Sequence, residues 1–171
     1  MTKKGLAFIA IVTTALIVLN HDLTLAQGSE RGTLQANISG AHISIDYGRP
    51  ALRGRDMIRQ IQPGQIWRLG AGAPTTLESD KPLNFGGITV PEGKHILLAR
   101  LVEPGKWTLV FSSKSAFQYE PSAKIAEVPL DFHETSDSAE LVTITLTEKD
   151  EMGVLEIAWG KTRLSTSFKP A

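Results

Sequence analysis

Cysteine is absent from the 171-residue chain. That excludes disulfide staples, thiolate metal sites, cysteine nucleophiles and thiol redox chemistry. It also excludes a lipoprotein-type anchor, which needs a cysteine at the cleavage point. A charge excess is missing as well. The 18 basic and 18 acidic residues cancel, so nothing favours bulk binding to nucleic acid or an anionic membrane. No G-x-S-x-G nucleophile elbow, phosphate-binding loop or dinucleotide fingerprint occurs. His42, His95 and His133 are far apart and share no metal-ligand spacing. No cofactor and no metal are expected.

Long apolar runs are scarce, and the one at the start has the form of a targeting segment. Lys3 and Lys4 precede the uncharged stretch from Gly5 to Leu19, and Thr24-Leu25-Ala26 ends it in a small-x-small pattern. The stretch is shorter than the roughly 20 residues that span a bilayer comfortably. We therefore expect residues 1–26 to be a signal peptide and residues 27–171 a single exported domain, periplasmic or secreted, with no stable membrane insertion after cleavage. Removing Lys3, Lys4 and Asp22 leaves 18 − 2 = 16 basic and 18 − 1 = 17 acidic residues, still close to neutral. Oligomeric state is left open by the residues.

Period-two alternation fills the remainder. Ile43, Ile45 and Tyr47 alternate with His42, Ser44 and Asp46, the pattern of a half-buried strand. Trp107, Leu109 and Phe111 repeat it, as do Val142, Ile144 and Leu146, and again Leu155, Ile157 and Trp159. Ile96 to Val102 is apolar almost throughout and should be a central strand covered on both faces. Thr33–Ile38, Thr75–Ser79, Leu83–Phe85, Ile88–Val90, Ile125–Leu130 and Arg163–Phe168 complete the set. Gly86-Gly87, Pro91-Glu92-Gly93, Pro104-Gly105 and Asp150 to Gly153 supply turns between them. The prediction is all-β: one antiparallel β-sandwich or flattened barrel of roughly ten short strands. A turn or two of helix is expected only near Asp56–Ile61. Trp107 and Trp159, on alternating strands, are expected in the core.

One stretch asks for more than a folding explanation. Five of the eight arginines (Arg49, Arg53, Arg55, Arg59 and Arg68) lie between Tyr47 and Gly72, with no lysine and only Asp56 as an acid. Guanidinium is planar, always charged, and forks onto carboxylates or phosphates. Pro50, Gly54, Pro63-Gly64, Gly70 and Gly72 give the stretch the grammar of an ordered loop. Two readings are open. In one, the arginines are consumed by the protein's own acids, chiefly the acid-rich run Glu120 to Glu156. Alternatively they form an anion-recognising pocket, with Asp46, Tyr47, Arg49, Arg53, Arg55, Trp67 and Arg68 as candidate ligand-binding residues and Tyr47 and Trp67 as its walls. No catalytic residue is picked out. The leading expectation is a non-enzymatic binding or accessory module for a small anionic or carbohydrate ligand. Two alternatives are a hydrolase or lyase acting on an envelope carbohydrate or ester, with Asp46 or another acid as base, and a structural or partner-binding β domain.

Five blocks carry a resemblance over nearly the whole predicted domain: DYGRPALRGRDMI (Asp46 to Ile58), PGQIWRLGAGAPTTL (Pro63 to Leu77), VPEGKHILL (Val90 to Leu98), KWTLVFS (Lys106 to Ser112) and LEIAWGKTRLS (Leu155 to Ser165). Together they resemble domain of unknown function family 2911, a group of exported bacterial proteins. The resemblance implies a β-rich exported domain and no established activity, substrate or cofactor. After the Trp-Arg pair the family pattern is Thr-Gly-Ala-Asn-Glu-Ala-Thr-Thr. Here Leu69 to Thr76 reads Leu-Gly-Ala-Gly-Ala-Pro-Thr-Thr, so Gly72-Ala73 stands in place of a polar Asn-Glu pair. A glutamate that could serve as base or arginine partner is thereby lost.

Overall fold

The computed structural model describes residues 30–171; the expected signal peptide, residues 1–26, lies outside them. Within this span the alternating runs become ten strands: β1 (Glu30–Ile38), β2 (Ala41–Arg49), β3 (Ile66–Trp67), β4 (Thr76–Ser79), β5 (Leu83–Phe85), β6 (Ile88–Val90), β7 (Gly93–Glu103), β8 (Lys106–Ser112), β9 (Lys124–Lys149) and β10 (Met152–Pro170). All pairings are antiparallel, in the order β1-β2-β4-β7-β8-β9-β10-β5-β6, with β3 on a free stretch of β7. The predicted helical turn is a single 3-10 turn, Ile58–Gln60.

The strands are not uniformly short. Ile125–Leu130 and Val142–Leu146 are parts of one strand, β9, of 26 residues, and Leu155–Trp159 and Arg163–Phe168 are parts of β10, of 19 residues. Gly160 is what joins the halves of β10. Its φ is +58°, register shifts against β9 flank it, and the inward parity of β10 changes across it. Leu155, Ile157 and Trp159 are buried before it, Leu164 and Phe168 after it. Odd positions face inward on one side and even positions on the other, so both halves keep their apolar residues in the core.

The sheet coils over on itself and remains unclosed as a ladder. β8 pairs with the first part of β9, Lys124 to Leu130; β10 takes the rest of it, and the end of β10 pairs with β5. The inward faces then meet in one apolar cluster drawn from almost every strand. All three tryptophans of the chain join there. Trp67 stacks on Trp159 at 5.5 Å and 10°, and meets Trp107 edge-on at 6.4 Å and 73°. Phe85 packs against Phe111 and Phe168. The seam between β2 and the far part of β9 is stitched rather than zipped. The Tyr47 hydroxyl accepts from Ile144 N–H at 3.1 Å, Arg49 Nε donates to the Val142 carbonyl at 3.2 Å, and Leu52 N–H donates to the Glu140 carbonyl at 2.9 Å.

Outside the sheet lies a smaller apolar layer. Leu98 and Val110 face each other across β7 and β8 on the outer surface, yet both are fully buried and stand apart from the main core. The excursion between β8 and β9, residues 113–123 with 3-10 turns at Ala116–Gln118 and Pro121–Ala123, folds back over this face. Ser113 N–H donates to the Ala123 carbonyl at 2.9 Å and closes its base.

Beside that excursion Glu127 is largely buried on β9. It pairs with Arg100 and accepts from Thr108 Oγ1 at 2.7 Å and Lys124 Nζ at 2.9 Å. Burial alone would raise its carboxyl pKa. The hydrogen bonds from Thr108 and Lys124, with the charges of Arg100 and Lys124, overcome that and hold it below the ordinary value. A depressed pKa contributes stability that is complete above the unfolded-state value and is lost as pH falls through the folded one. Glu127→Gln is expected to destabilise the protein by about 1–2 kcal/mol at pH 7. The gap to wild type should begin to narrow below about pH 4, the ordinary carboxyl range, and close only below the depressed folded value. Urea denaturation at both pH values checks it, and a gap that widened in acid would contradict the assignment.

Candidate functional site

The arginines of the 47–72 stretch separate into three places. Arg49, at the end of β2, pairs with Glu30 at 2.7 Å and holds the seam through Val142. Arg53 sits in a tight turn: its φ is +51°, Gly54 follows at +74°, and Arg55 N–H closes on the Leu52 carbonyl at 3.1 Å. The backbone N–H of Arg53 donates to Glu140 Oε1 at 2.8 Å, and Arg55 Nε reaches the Leu52 carbonyl at 3.3 Å. Arg59 pairs with Asp56 at 3.1 Å and Glu134 at 3.6 Å. Arg55 and Arg59 line a cleft of about 300 Å³ together with Lys161, Asp56, Glu134 and Glu140. Three cations face three carboxylates there, so its charge is balanced.

Arg68 is elsewhere and differently held. It follows β3 directly, and Leu69 after it is fully buried at φ +54°. A bulky residue in the left-handed region is strained by about 1–2 kcal/mol, and the strain is sustained by tethers. Thr75 Oγ1 donates to the Leu69 carbonyl at 2.9 Å, and Arg68 Nε donates to the Gly70 carbonyl at 3.0 Å. Behind this loop the backbone of Ala71 presses against Gly48 of β2, where an added Cβ would meet the Ala71 carbonyl oxygen at 1.9 Å. Arg31 anchors the rim through the Ala73 carbonyl at 3.3 Å.

With Nε occupied, Arg68 keeps its two Nη groups for other acceptors, and it lines a cleft of about 150 Å³ between this loop and the 113–123 excursion. Pro74, Ile96, Leu98, Ala116 and Phe117 supply apolar walls. The Arg68 guanidinium carbon lies 5.4 Å from the centroid of the Phe117 ring, within cation–π range. Phe117 is 83% exposed at the tip of the excursion, the most exposed large apolar side chain among the described residues. No carboxylate lines this cleft, and Arg68 makes no salt bridge among the described residues.

The remaining candidates do not converge on Arg68. Tyr47 and Trp67 are buried, with the Tyr47 hydroxyl spent on Ile144 and the Trp67 ring between Trp107 and Trp159. Asp46 lies on the outer face of β2, paired with Arg31 and accepting from Thr33 Oγ1 at 3.2 Å, and it lines neither cleft. Of the acid-rich run Glu120 to Glu156, Glu134 pairs with an arginine of the stretch and Glu140 caps the turn. Sequence reasoning missed Arg31, Ile96, Leu98 and Phe117. The readable cue for Phe117 was an aromatic residue stranded in the polar run Ser112-Ser113-Lys114-Ser115-Ala116-Phe117-Gln118. Among the described residues no three His, Asp or Glu side chains gather into a metal-holding group.

Comparison with known proteins gives one match. A family model described as a protein of unknown function, DUF2911, covers residues 29–168. No curated protein and no solved structure is significantly similar to the chain.

Proposed function

The chain belongs to the DUF2911 family of proteins of unknown function, and from that premise we propose that it is an exported binding module that recognises an anionic ligand through Arg68. The observation that carries this reading is a guanidinium oriented by its own loop, partly buried against apolar walls and unpaired with any carboxylate among the described residues. A charge held in such surroundings is normally neutralised by a partner, and here a ligand can fill that role. Strain stored at Leu69 is in keeping with a site whose geometry the fold over-determines. The positively charged, then apolar, leader supports export.

Thermal-shift measurements with inorganic phosphate, sulfate, acetate, hexanoate and benzoate test the binding reading. At least one of these should raise the melting temperature of wild type and leave Arg68→Gln unmoved. The double variant Arg53→Ala/Arg55→Ala, altered on the exposed turn, should respond as wild type does. If the shift vanished in the double variant and survived in Arg68→Gln, the site would be the other cleft. N-terminal sequencing of the processed protein, expected to begin at Gln27, checks the export half.

A further inference from the structure

We propose that the Arg68 cleft is built for a monocarboxylate carried on a compact apolar body, a ligand class that follows from its walls once the anion reading above is accepted. Three features narrow the ligand. The first is charge: a single guanidinium faces the cleft, so one negative charge is neutralised. A dianion such as phosphate would leave its second charge against Ile96, Leu98 and Pro74, where desolvation is costly. The second is geometry. Arg68 Nε is spent on the Gly70 carbonyl, which leaves the Nη1/Nη2 edge for a planar acceptor with two oxygens, the shape of a carboxylate.

The third feature is size and polarity. Apolar cavities of roughly 150 Å³ accommodate a benzene ring, and this cleft has that volume. Of the two hydroxyls that line it, Thr75's is buried and already donates to the Leu69 carbonyl, and Ser115's donates to Gln118 Oε1 at 3.5 Å, so the cleft offers little to a sugar's many hydroxyls. Phe117 stands over the opening with its ring largely in water. It can lie on a planar ligand while Arg68 holds the carboxylate, which would take apolar ring surface out of water. The same chemistry could arrive as a free aromatic or aliphatic acid or as the terminal residue of a peptide.

Calorimetric titration of the processed chain with benzoate, hexanoate, acetate and inorganic phosphate tests this directly. Benzoate and hexanoate should bind at least about tenfold more tightly than acetate, because only they bury an apolar body. Phosphate should be weaker than both. Arg68→Gln should weaken benzoate by at least about tenfold. Phe117→Ala, at an exposed position that the fold does not need, should weaken it severalfold while sparing acetate. An acetylated tripeptide ending in phenylalanine, with free and then amidated terminus, assigns the source; Arg68-dependent binding of the free form upholds the class equally. Phosphate binding more tightly than benzoate, lost in Arg68→Gln, would overturn the monocarboxylate and leave the anion reading standing. Benzoate binding that is indifferent to Arg68 would also overturn it. If none of these probes binds in an Arg68-dependent way, both readings fall together.

Discussion

Gly48→Ala is expected to be among the most damaging single-methyl changes in the protein. The new Cβ would sit 1.9 Å from the carbonyl oxygen of Ala71 and 2.7 Å from its nitrogen. Both atoms are backbone, so no rotamer change relieves the clash. Either β2 bends or the loop from Arg68 to Thr75 moves away. Overpacking of this kind costs about 3 kcal/mol, a fall in melting temperature on the order of 10 °C for a domain of this size. The loop that must move is the one that aims Arg68, so anion binding should be lost in the same variant. Gly54→Ala is the control. It meets nothing within 4 Å and suffers only from its φ of +74°, which costs about 1 kcal/mol. Equal melting temperatures for the two variants would show that the approach of Ala71 to Gly48 is not a real constraint.

Trp67→Ala is the second large effect. The indole is 8% exposed, stacked on Trp159 and edge-on to Trp107. Truncation removes one of the largest buried side chains and breaks two aromatic contacts at once. A change of this type costs about 3–5 kcal/mol, with about 0.5–1.5 kcal/mol more for each lost ring pair. Domains of this size have only about 5–15 kcal/mol to lose, so the variant should be largely unfolded at moderate urea. Trp67→Phe should recover more than half of the loss. The three tryptophans form one group, so near-ultraviolet circular dichroism of wild type should carry a coupled indole signal that disappears in Trp67→Ala. A loss below about 1 kcal/mol, with that signal intact, would contradict the packing.

Much of the fold was legible in alternation. The parity that places Ile43 and Ile45 inward also places Tyr47 inward, and the same logic puts Trp107 and Trp159 in the core. Tyr47 and Trp67 looked like pocket walls because arginines adjoin them in sequence, whereas the pleat turns their rings the other way. The length of β10 was hidden for the opposite reason. The change of parity at Gly160 puts its two alternations out of phase, so each half reads as a separate strand. β9 misled differently, since His133 to Glu140 is polar and mostly exposed and resembles a loop, although the strand runs through it and His133, Glu134 and Ala139 pair with β10.

The site was legible only in part. Clustering of arginine was visible, but its division into a seam clamp, a balanced cleft and the Arg68 cleft depends on where each backbone goes. Arg68 and Arg59 are close in sequence, and the fold sends them to different clefts. Phe117 lies 49 residues from Arg68 in the chain (117 − 68) and reaches it only because the 113–123 excursion folds back over β7 and β8. Asp46 found its partner in Arg31 through the β1–β2 register, where Thr33 stands opposite Asp46 and Arg31 opposite Gly48.

The two long strands have a thermodynamic consequence. β9 gives its first residues to β8 and later ones to β10, and β10 runs on to β5, so β8, β9 and β10 cannot come apart without breaking a segment that a neighbour also uses. Partial opening is therefore costly, and amide protons of Val110, Val128 and Leu164 should exchange through one shared global event rather than in separate steps. The 113–123 excursion lies outside that shared framework, and it carries Phe117 to the mouth of the Arg68 cleft.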